Sequence, residues 1–362
     1  MSLLTSVDAR TSHVDDFRVL LDDALHDFLR ARQDLAPELT AELRDLILAG
    51  GKRIRPTFAW WGWRAAGGSA HTSELTDAVV RAMVALEMLQ CCALVHDDVM
   101  DRSATRRGKP AVHESFAALH RHQRWSGSAR QYGDSAAILV GDLALAWADD
   151  ALVTAGLPSD ALGRAWGPWQ AMRTEMIMGQ HLDILAVARR EESLEHAVRV
   201  AALKTAAYTV ERPLHLGAAL AGADENVVDC LRAYGHDIGV AFQLRDDLIG
   251  VFGDSSVTGK PVGEDLREGK RTPLMSIALS RAQDRPAAQR LLRRCLESGA
   301  VSDRTVDEVR ALLVELGAVA AVEKHIDSLA VSGLAALDRA VIDDEARHEL
   351  VRLANRAVAR TT

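Results

Sequence analysis

The chain has 362 residues, 48% hydrophobic and 26% charged, with a formal net charge of −8. That composition is ample for a buried core, and its acidic balance argues against a general nucleic-acid surface. No uninterrupted apolar run reaches the roughly 18 residues of a bilayer span, so stable membrane insertion is not expected.

The opening "MSLLTSVDARTSHVDDF" lacks a basic segment followed by an apolar one, and no signal peptide is predicted. Aromatic residues are 4%, alternating β-branched runs are absent, and apolar residues recur at helical spacing. In chain order, helical patterns cover 75–99, 135–155, 194–220 and 227–251, and the pattern continues through 302–360. Turn-like breaks separate them: "AGGKRIRP", "AAGGSAHTS", "TAGLPSD", "AGADEN" and "FGDSSVTGKPVG". Pro168 and Pro213 fall inside helical patterns and predict kinks or helix ends. Cys91, Cys92, Cys230 and Cys295 form no CxxC pair and no zinc spacing, so a reducing cytoplasm is the expected compartment. No flexible linker divides the chain. The expectation is one all-α domain over 1–362, with several helices apolar most of the way round, as interior helices are.

Adjacent aspartates recur along the chain, and most read as solvated faces or helix caps. Two pairs stand apart because each ends an apolar helical pattern. In "CCALVHDDVMDRSATRRGKP" the pair is completed as DDxxD. Asp97 and Asp101 lie one helical turn apart, about 5–6 Å on one face. Like charges at that spacing repel unless a cation sits between them, and the helix macrodipole disfavours acid at this end. Magnesium suits such a pair, because it takes one or two carboxylates together with substrate phosphates. The second pair, Asp246–Asp247, ends "AYGHDIGVAFQLRDD".

Basic residues alternate with these motifs. "GGKRIRP" sets Lys52, Arg53 and Arg55 after a double glycine, a setting that suits phosphate binding. Arg106 and Arg107 follow Asp101 closely. Lys204 and Thr205 lie within an apolar helix, where an unpaired lysine is costly. Lys260, Lys270 and Arg271 come later. Taken singly each reads as a solvated charge. Together they suggest two anionic ligands in an apolar cavity. No GxxxxGK[ST] loop is present, so nucleotide hydrolysis of that kind is not indicated.

"GGKRIRP", "HDDVMD", "RRGKP", "GQHLD", "KT", "FQLRDD" and "GKPVGEDLREGKRTPL", spanning 50–274, give the chain its resemblance. It resembles the polyprenyl synthetase family of trans-isoprenyl diphosphate synthases, and among them the geranylgeranyl diphosphate synthases of actinobacterial type. The resemblance implies an isoprenoid synthase-type all-α bundle around a deep central cavity, usually a homodimer. It implies a prenyltransferase that joins isopentenyl diphosphate to an allylic diphosphate (dimethylallyl, geranyl or farnesyl) through a carbocation. Asp97, Asp101 and Asp246 are implied to hold magnesium, three ions per site, on the allylic diphosphate. Arg106, Lys204, Lys260 and, more weakly, Lys270 are implied to bind that diphosphate. Lys52, Arg55, Gln90 and Arg107 are implied to bind isopentenyl diphosphate, and Thr205 and Gln243 to present oxygen dipoles to the cation.

Product length is expected to follow the helix that carries Asp97. Cys92 and Ala93, one turn deeper, are small, and Met88 and Leu89 could form a floor. A C20 product is expected, with C15 and C25 as neighbours. A class I terpene cyclase shares DDxxD, but it typically has N-D-x-x-S-x-x-x-E where this chain has "DDLIGVFGD". A non-catalytic synthase subunit usually lacks an aspartate motif that this chain keeps. Many relatives carry a third aspartate at the place of Gly250. Asp246 is therefore taken as the ligand and Asp247 as a group acting beside it or through water. Asp254 could substitute only if the helix continues past Gly250.

Overall fold

Helices account for nearly all of the computed structural model, which describes residues 14–34, 36–69, 73–253, 263–297 and 301–359. In chain order they are α1 (Val14–Arg30), α2 (Pro37–Leu48), α3 (Ile54–Ala65), α4 (Glu74–Asp101), α5 (Val112–Gln123), α6 (Ala129–Val153), α7 (Ser159–Arg189) and α8 (Leu194–Val200). A π-helical segment, Ala201–Glu211, leads into α9 (Arg212–Ala221) and α10 (Glu225–Phe252). Then come α11 (Glu264–Arg267), α12 (Pro273–Arg281), α13 (Pro286–Glu297), α14 (Asp303–Glu315), α15 (Ala318–Asp338) and α16 (Asp344–Val358). The strands among the described residues are β1 (Thr105–Arg106) and β2 (Lys109–Pro110), which form one antiparallel hairpin. The all-α expectation holds.

Local chemistry starts the long helices. Ser73, Ser128 and Asp224 cap α4, α6 and α10, each side chain accepting the N–H three residues on. Pro168 does not end its helix: α7 runs through it. Pro213 is the second residue of α9, two past the end of the π-helical segment. Lacking an N–H, it deprives the Thr209 carbonyl of its α-helical donor, which favours the looser ladder there.

The contacts divide the chain into two compact units, Met1–Gly167 with Leu216–Ala223, and Pro168–His215 with Asp224–Thr362. In the first, α4 packs along α6 and is flanked by α1, α2, α3 and α5. Its core holds Trp60, Trp61 and Trp63, with Phe17 stacked on Trp60 at 4.9 Å. By length and composition α4 could cross a membrane, contrary to the simple count of uninterrupted apolar residues. Its most apolar 18-residue stretch is, however, 78% buried inside the protein, as in a core helix. In the second unit α10 packs against the π-helical segment, α15 and α16. Leu244, Leu248, Leu274, Leu292 and Ile326 form its core. Arg245 is held by both oxygens of Glu323 at 2.7 Å, and the Tyr234 hydroxyl donates to the Leu350 carbonyl at 2.6 Å. Those two ties fix α10 against the C-terminal helices and so fix the place of Asp246.

Candidate active site

One candidate cluster grows from the C-terminal end of α4. Consecutive helical residues turn by 100°, so adjacent aspartates cannot share a face. Asp98 is buried, Asp97 is half-buried and Asp101 is exposed. Arg106 donates through Nε to both carboxylate oxygens of Asp98, at 3.0 and 3.2 Å, and through Nη2 to one of them. Asp97 lies 3.9 Å from the same guanidinium. Burial pushes Asp98 above the usual carboxylate range, and Arg106 holds it partly back. Arg106, implied above as a diphosphate ligand, is thus also the counter-charge of the motif's middle aspartate.

The hairpin that delivers Arg106 turns at Arg107 and Gly108, both at positive φ (53° and 73°), as a two-residue hairpin turn requires. Arg107 then reaches back to the double-glycine turn, donating to the carbonyls of Leu46, at 3.2 Å, and Gly50. Gly50 sits at φ 89°, and a Cβ on Gly51 would stand 3.1 Å from Arg107 Nη2. Gly50 is explained by its positive φ and Gly51 by this close approach. Lys52 is exposed and Arg55 half-buried, whereas Arg53 is buried between Glu87 (2.5 Å) and Asp22 (3.1 Å) and donates to the Ile47 carbonyl. Arg53 therefore builds the turn that presents its neighbours.

Gln90, Ala93, Asp97 and Asp101 follow one another at three- and four-residue steps and form the least buried stripe of α4's second half, while Cys91, Cys92, Val95 and Asp98 are buried. Cys92 faces elsewhere: its Sγ lies 3.7 Å from Nδ1 of His96, whose ring rests on α6 where Gly141 leaves room. Of the two small residues expected to line the product channel, only Ala93 shares the face of Asp97. Met88 and Leu89 are fully buried. Met88, nine residues before Asp97, lies on the opposite side of the helix.

A second candidate cluster lies in the other unit. Asp246 is exposed and Asp247 buried at the end of α10. Gln243 donates its amide to Asp247 Oδ1 at 2.7 Å, which leaves the Gln243 oxygen as the remaining polar atom of that side chain. Asp247 Oδ2 is buried without a hydrogen-bond partner. Burial first, then the neighbouring carboxylates Asp265 and Asp246, push Asp247 well above the usual range. Lys204 and Thr205 ride on the π-helical segment, which passes close to α7: a Cβ on Gly179 would stand 2.7 Å from the Lys204 Cα. Lys204 Nζ is paired with Asp183 at 2.7 Å. Lys270 Nζ is paired with Asp265 and with Glu268, both at 2.8 Å, and these two acids raise its pKa against its own burial. α10 continues two residues past Gly250 and ends at Phe252. Lys260 and Asp254 lie outside the described residues.

Sequence reasoning missed Asp183 and Asp265, the partners of two site lysines. Both sit in the quoted motifs, "GQHLD" and "GEDLREGK", but nothing in the spacing names the pairings. Cavity shape would also have misled. A groove in the first unit lined by Leu20, Phe28, Val84 and Ala155 contains none of these residues. Neither does a charged cavity in the second lined by Glu175, Glu211, Arg212 and Arg232.

Among the described residues no three His, Cys, Asp or Glu side chains converge as a metal cage. Each unit offers one or two outward carboxylates at an apolar helix end, and in the second the orphaned Asp247 oxygen adds acceptor capacity. That donor set fits a hydrated hard cation shared with phosphate oxygens. An all-α protein with such ends and with lysines and arginines beside them belongs to the class that handles organic diphosphates on helical scaffolds.

The comparisons make the class specific. The polyprenyl synthetase family model matches residues 36–313, and the chain belongs to that family. It is 34% identical over 295 residues to a geranylgeranyl diphosphate synthase of Mycobacterium tuberculosis (81% of this chain, 76% of that protein). It is 32% identical over 317 residues to a (2E,6E)-farnesyl diphosphate synthase of the same species (86% and 80%). Among solved structures, a geranylgeranyl pyrophosphate synthase of Corynebacterium glutamicum, complexed with isoprenyl diphosphate and magnesium, is 44% identical with a TM-score of 0.91, covering 96% of this chain and 99% of that one. The chain is a prenyltransferase that elongates isoprenyl diphosphates.

Proposed function

We propose that the product is geranylgeranyl diphosphate, C20, made from isopentenyl diphosphate and an allylic diphosphate. The observation that carries this is Ala93 on the face of Asp97, one turn into the helix, where a bulky side chain would stop the growing tail early. The Corynebacterium neighbour, a geranylgeranyl synthase, supports it.

In this reading the C–O bond of the allylic diphosphate breaks with its electron pair leaving on the diphosphate. The double bond of isopentenyl diphosphate then forms the new C–C bond, and the proton lost goes to the departed diphosphate. Magnesium, when bound, supplies Lewis acidity toward the leaving group, and Asp97, Asp101 and Asp246 are the residues that would hold it, three ions in all. Lys52, Arg55, Gln90 and Arg107 grip isopentenyl diphosphate. Arg106, Lys204 and Lys260 bind the allylic diphosphate, Lys204 exchanging Asp183 for a phosphate oxygen. Lys270, paired with Asp265 and Glu268 as Lys204 is with Asp183, is the weaker ligand of the same diphosphate. The oxygens of Thr205 and Gln243 face the cation, and apolar walls exclude water. We further infer one catalytic domain over 1–362, a homodimer, and a cytoplasmic location, the last supported by four buried free cysteines.

The test is product analysis after incubation with isopentenyl diphosphate, each allylic diphosphate in turn and magnesium. C20 diphosphate is expected. A dominant C15 or C25 diphosphate overturns the chain length, and a hydrocarbon or no elongation overturns the reaction. Ala93→Phe is expected to shorten the product by one or two isoprene units, while Cys92→Phe leaves the length unchanged and costs stability instead.

A further inference from the structure

One corner of the first unit contrasts with the acidic balance of the chain. Residues 115–133 contain no Asp or Glu and three arginines, Arg121, Arg124 and Arg130, against a net charge of −8 for the whole chain. The three arginines are exposed and flank the turn between α5 and α6. Their side chains make no hydrogen bond or ion pair among the described residues. The α5 macrodipole accounts for cations in that helix's last turn. It does not account for Arg130, which lies in the first turn of α6, where the dipole favours acid and no acid is present.

The same turn carries an apolar group outward. Of the seven tryptophans, Trp125 is the exposed one, at 47%. Its ring stands edge-on to Tyr132 at 5.2 Å and to His120 at 6.0 Å. Trp125 donates its backbone N–H to the His120 carbonyl at 3.2 Å, and His120 Nε2 lies 3.0 Å from the Ser126 carbonyl. Arg124 and Gly127 take positive φ, 56° and 91°, and close the turn. The indole is thus set beside the arginines before any partner arrives, which lowers the ordering cost of docking. The corner also stands at the end of the unit that carries Asp97 and Asp101. Arg102, the residue after Asp101, donates to Asp134 at 3.0 Å. Asp134 is about 8 Å along α6 from the first residue of that helix.

We propose that this corner docks the enzyme on an anionic lipid surface, with Trp125 in the headgroup layer and the three arginines on lipid phosphates. The sign of the charge selects an anionic partner, and the exposed indole selects one with an apolar boundary. A bilayer also suits the reaction: an elongated isoprenyl diphosphate has a tail that is costly in water, whatever its length. The contact is peripheral and needs no spanning helix.

The test is sedimentation of the full-length protein with vesicles at low ionic strength, with melting temperature and elongation followed alongside. Wild type is expected to bind vesicles of phosphatidylcholine with phosphatidylglycerol, to ignore vesicles of phosphatidylcholine alone, and to be released by salt. Arg121→Gln, Arg124→Gln and Arg130→Gln combined are expected to weaken binding about a hundredfold, at roughly fivefold for each arginine, with elongation in solution unchanged. In a second measurement, anionic vesicles with a nitroxide-labelled headgroup are expected to quench wild-type tryptophan emission and to spare Trp125→Phe. If the arginine variant does not fold, the quenching comparison decides. The proposal falls if wild type stays in the supernatant, if the folded arginine variant sediments equally, or if Trp125→Phe is quenched as wild type is. Retention on immobilised polyglutamate without vesicle binding also overturns it, in favour of an acidic protein partner.

Discussion

The two aspartate pairs end apolar helices in the same way and are neutralised in opposite ways. In each, the first carboxylate is turned outward and the second is buried. Asp98 has a guanidinium on both oxygens. Asp247 has one amide on Oδ1, a carboxylate neighbour, and no hydrogen-bond partner on Oδ2. The helical turn of 100° per residue makes the division unavoidable, since one of two adjacent aspartates must enter the wall. What the wall supplies then decides the character of the site. The first motif is locked before any ligand arrives. The second keeps acceptor capacity that only a ligand, water or a proton can use.

The largest effects should separate outward from buried carboxylates. Asp97→Asn and Asp101→Asn are each expected to lower kcat about a thousandfold, as loss of groups that stabilise developing charge does. Asp246→Asn is expected to cost about a hundredfold, because Asp265 and Asp247 leave some negative charge nearby. Single-turnover rates with saturating magnesium and farnesyl diphosphate measure all three. Asp98→Asn should instead act through Arg106, disturbing allylic diphosphate binding more than kcat. If Asp98→Asn and Asp97→Asn fall equally in kcat with unchanged KM, the distinction between outward and buried members is broken.

The same contrast shows what could be read from sequence. Helical periodicity, the caps and the placing of both aspartate pairs at helix ends were legible, because they depend on spacing along one helix. The stripe of Gln90, Ala93, Asp97 and Asp101 was legible for that reason too, and a helical wheel would have set Cys92 and Met88 apart from it. Contacts made through turns were not legible. Arg106 reaches Asp98 only because Arg107 and Gly108 adopt positive φ, and nothing in "RRGKP" says which arginine folds back. The acid partners of Lys270, two and five residues earlier, become its neighbours only when α11 and the turn after it close. Pro168 was expected to kink or end a helix, and it does not end α7, which continues through it. The π-helical register under Lys204 depends on Pro213 and on the close pass at Gly179, which side-chain propensities do not encode.

Stability offers the finest test, because removing the buried charge should hurt the first motif and spare the second. Asp98→Asn takes from Arg106, 23% exposed, its directly hydrogen-bonded counter-charge and leaves it Asp97 at 3.9 Å. It is expected to cost about 2 kcal/mol, below the loss for a fully buried pair. Asp247→Asn keeps an acceptor for Gln243 and removes a buried carboxylate that faces Asp246 and Asp265. In metal-free protein it is expected to cost nothing and to gain up to about 1 kcal/mol at neutral pH. The sign with pH follows from the direction of the shift. A carboxyl whose folded pKa lies above its unfolded value of about 3.9 binds its proton more tightly in the folded state. Its stabilising share is therefore complete below that unfolded value and is lost as pH rises through the folded one. The advantage of Asp247→Asn over wild type should thus be widest near neutrality and close toward pH ~4. Thermal melts in chelator across that range, with Lys270 and Gln243 left intact, measure it. Parallel curves for wild type and Asp247→Asn would mean that the Asp247 carboxylate is as well compensated as Asp98, and that the two motifs differ in position alone.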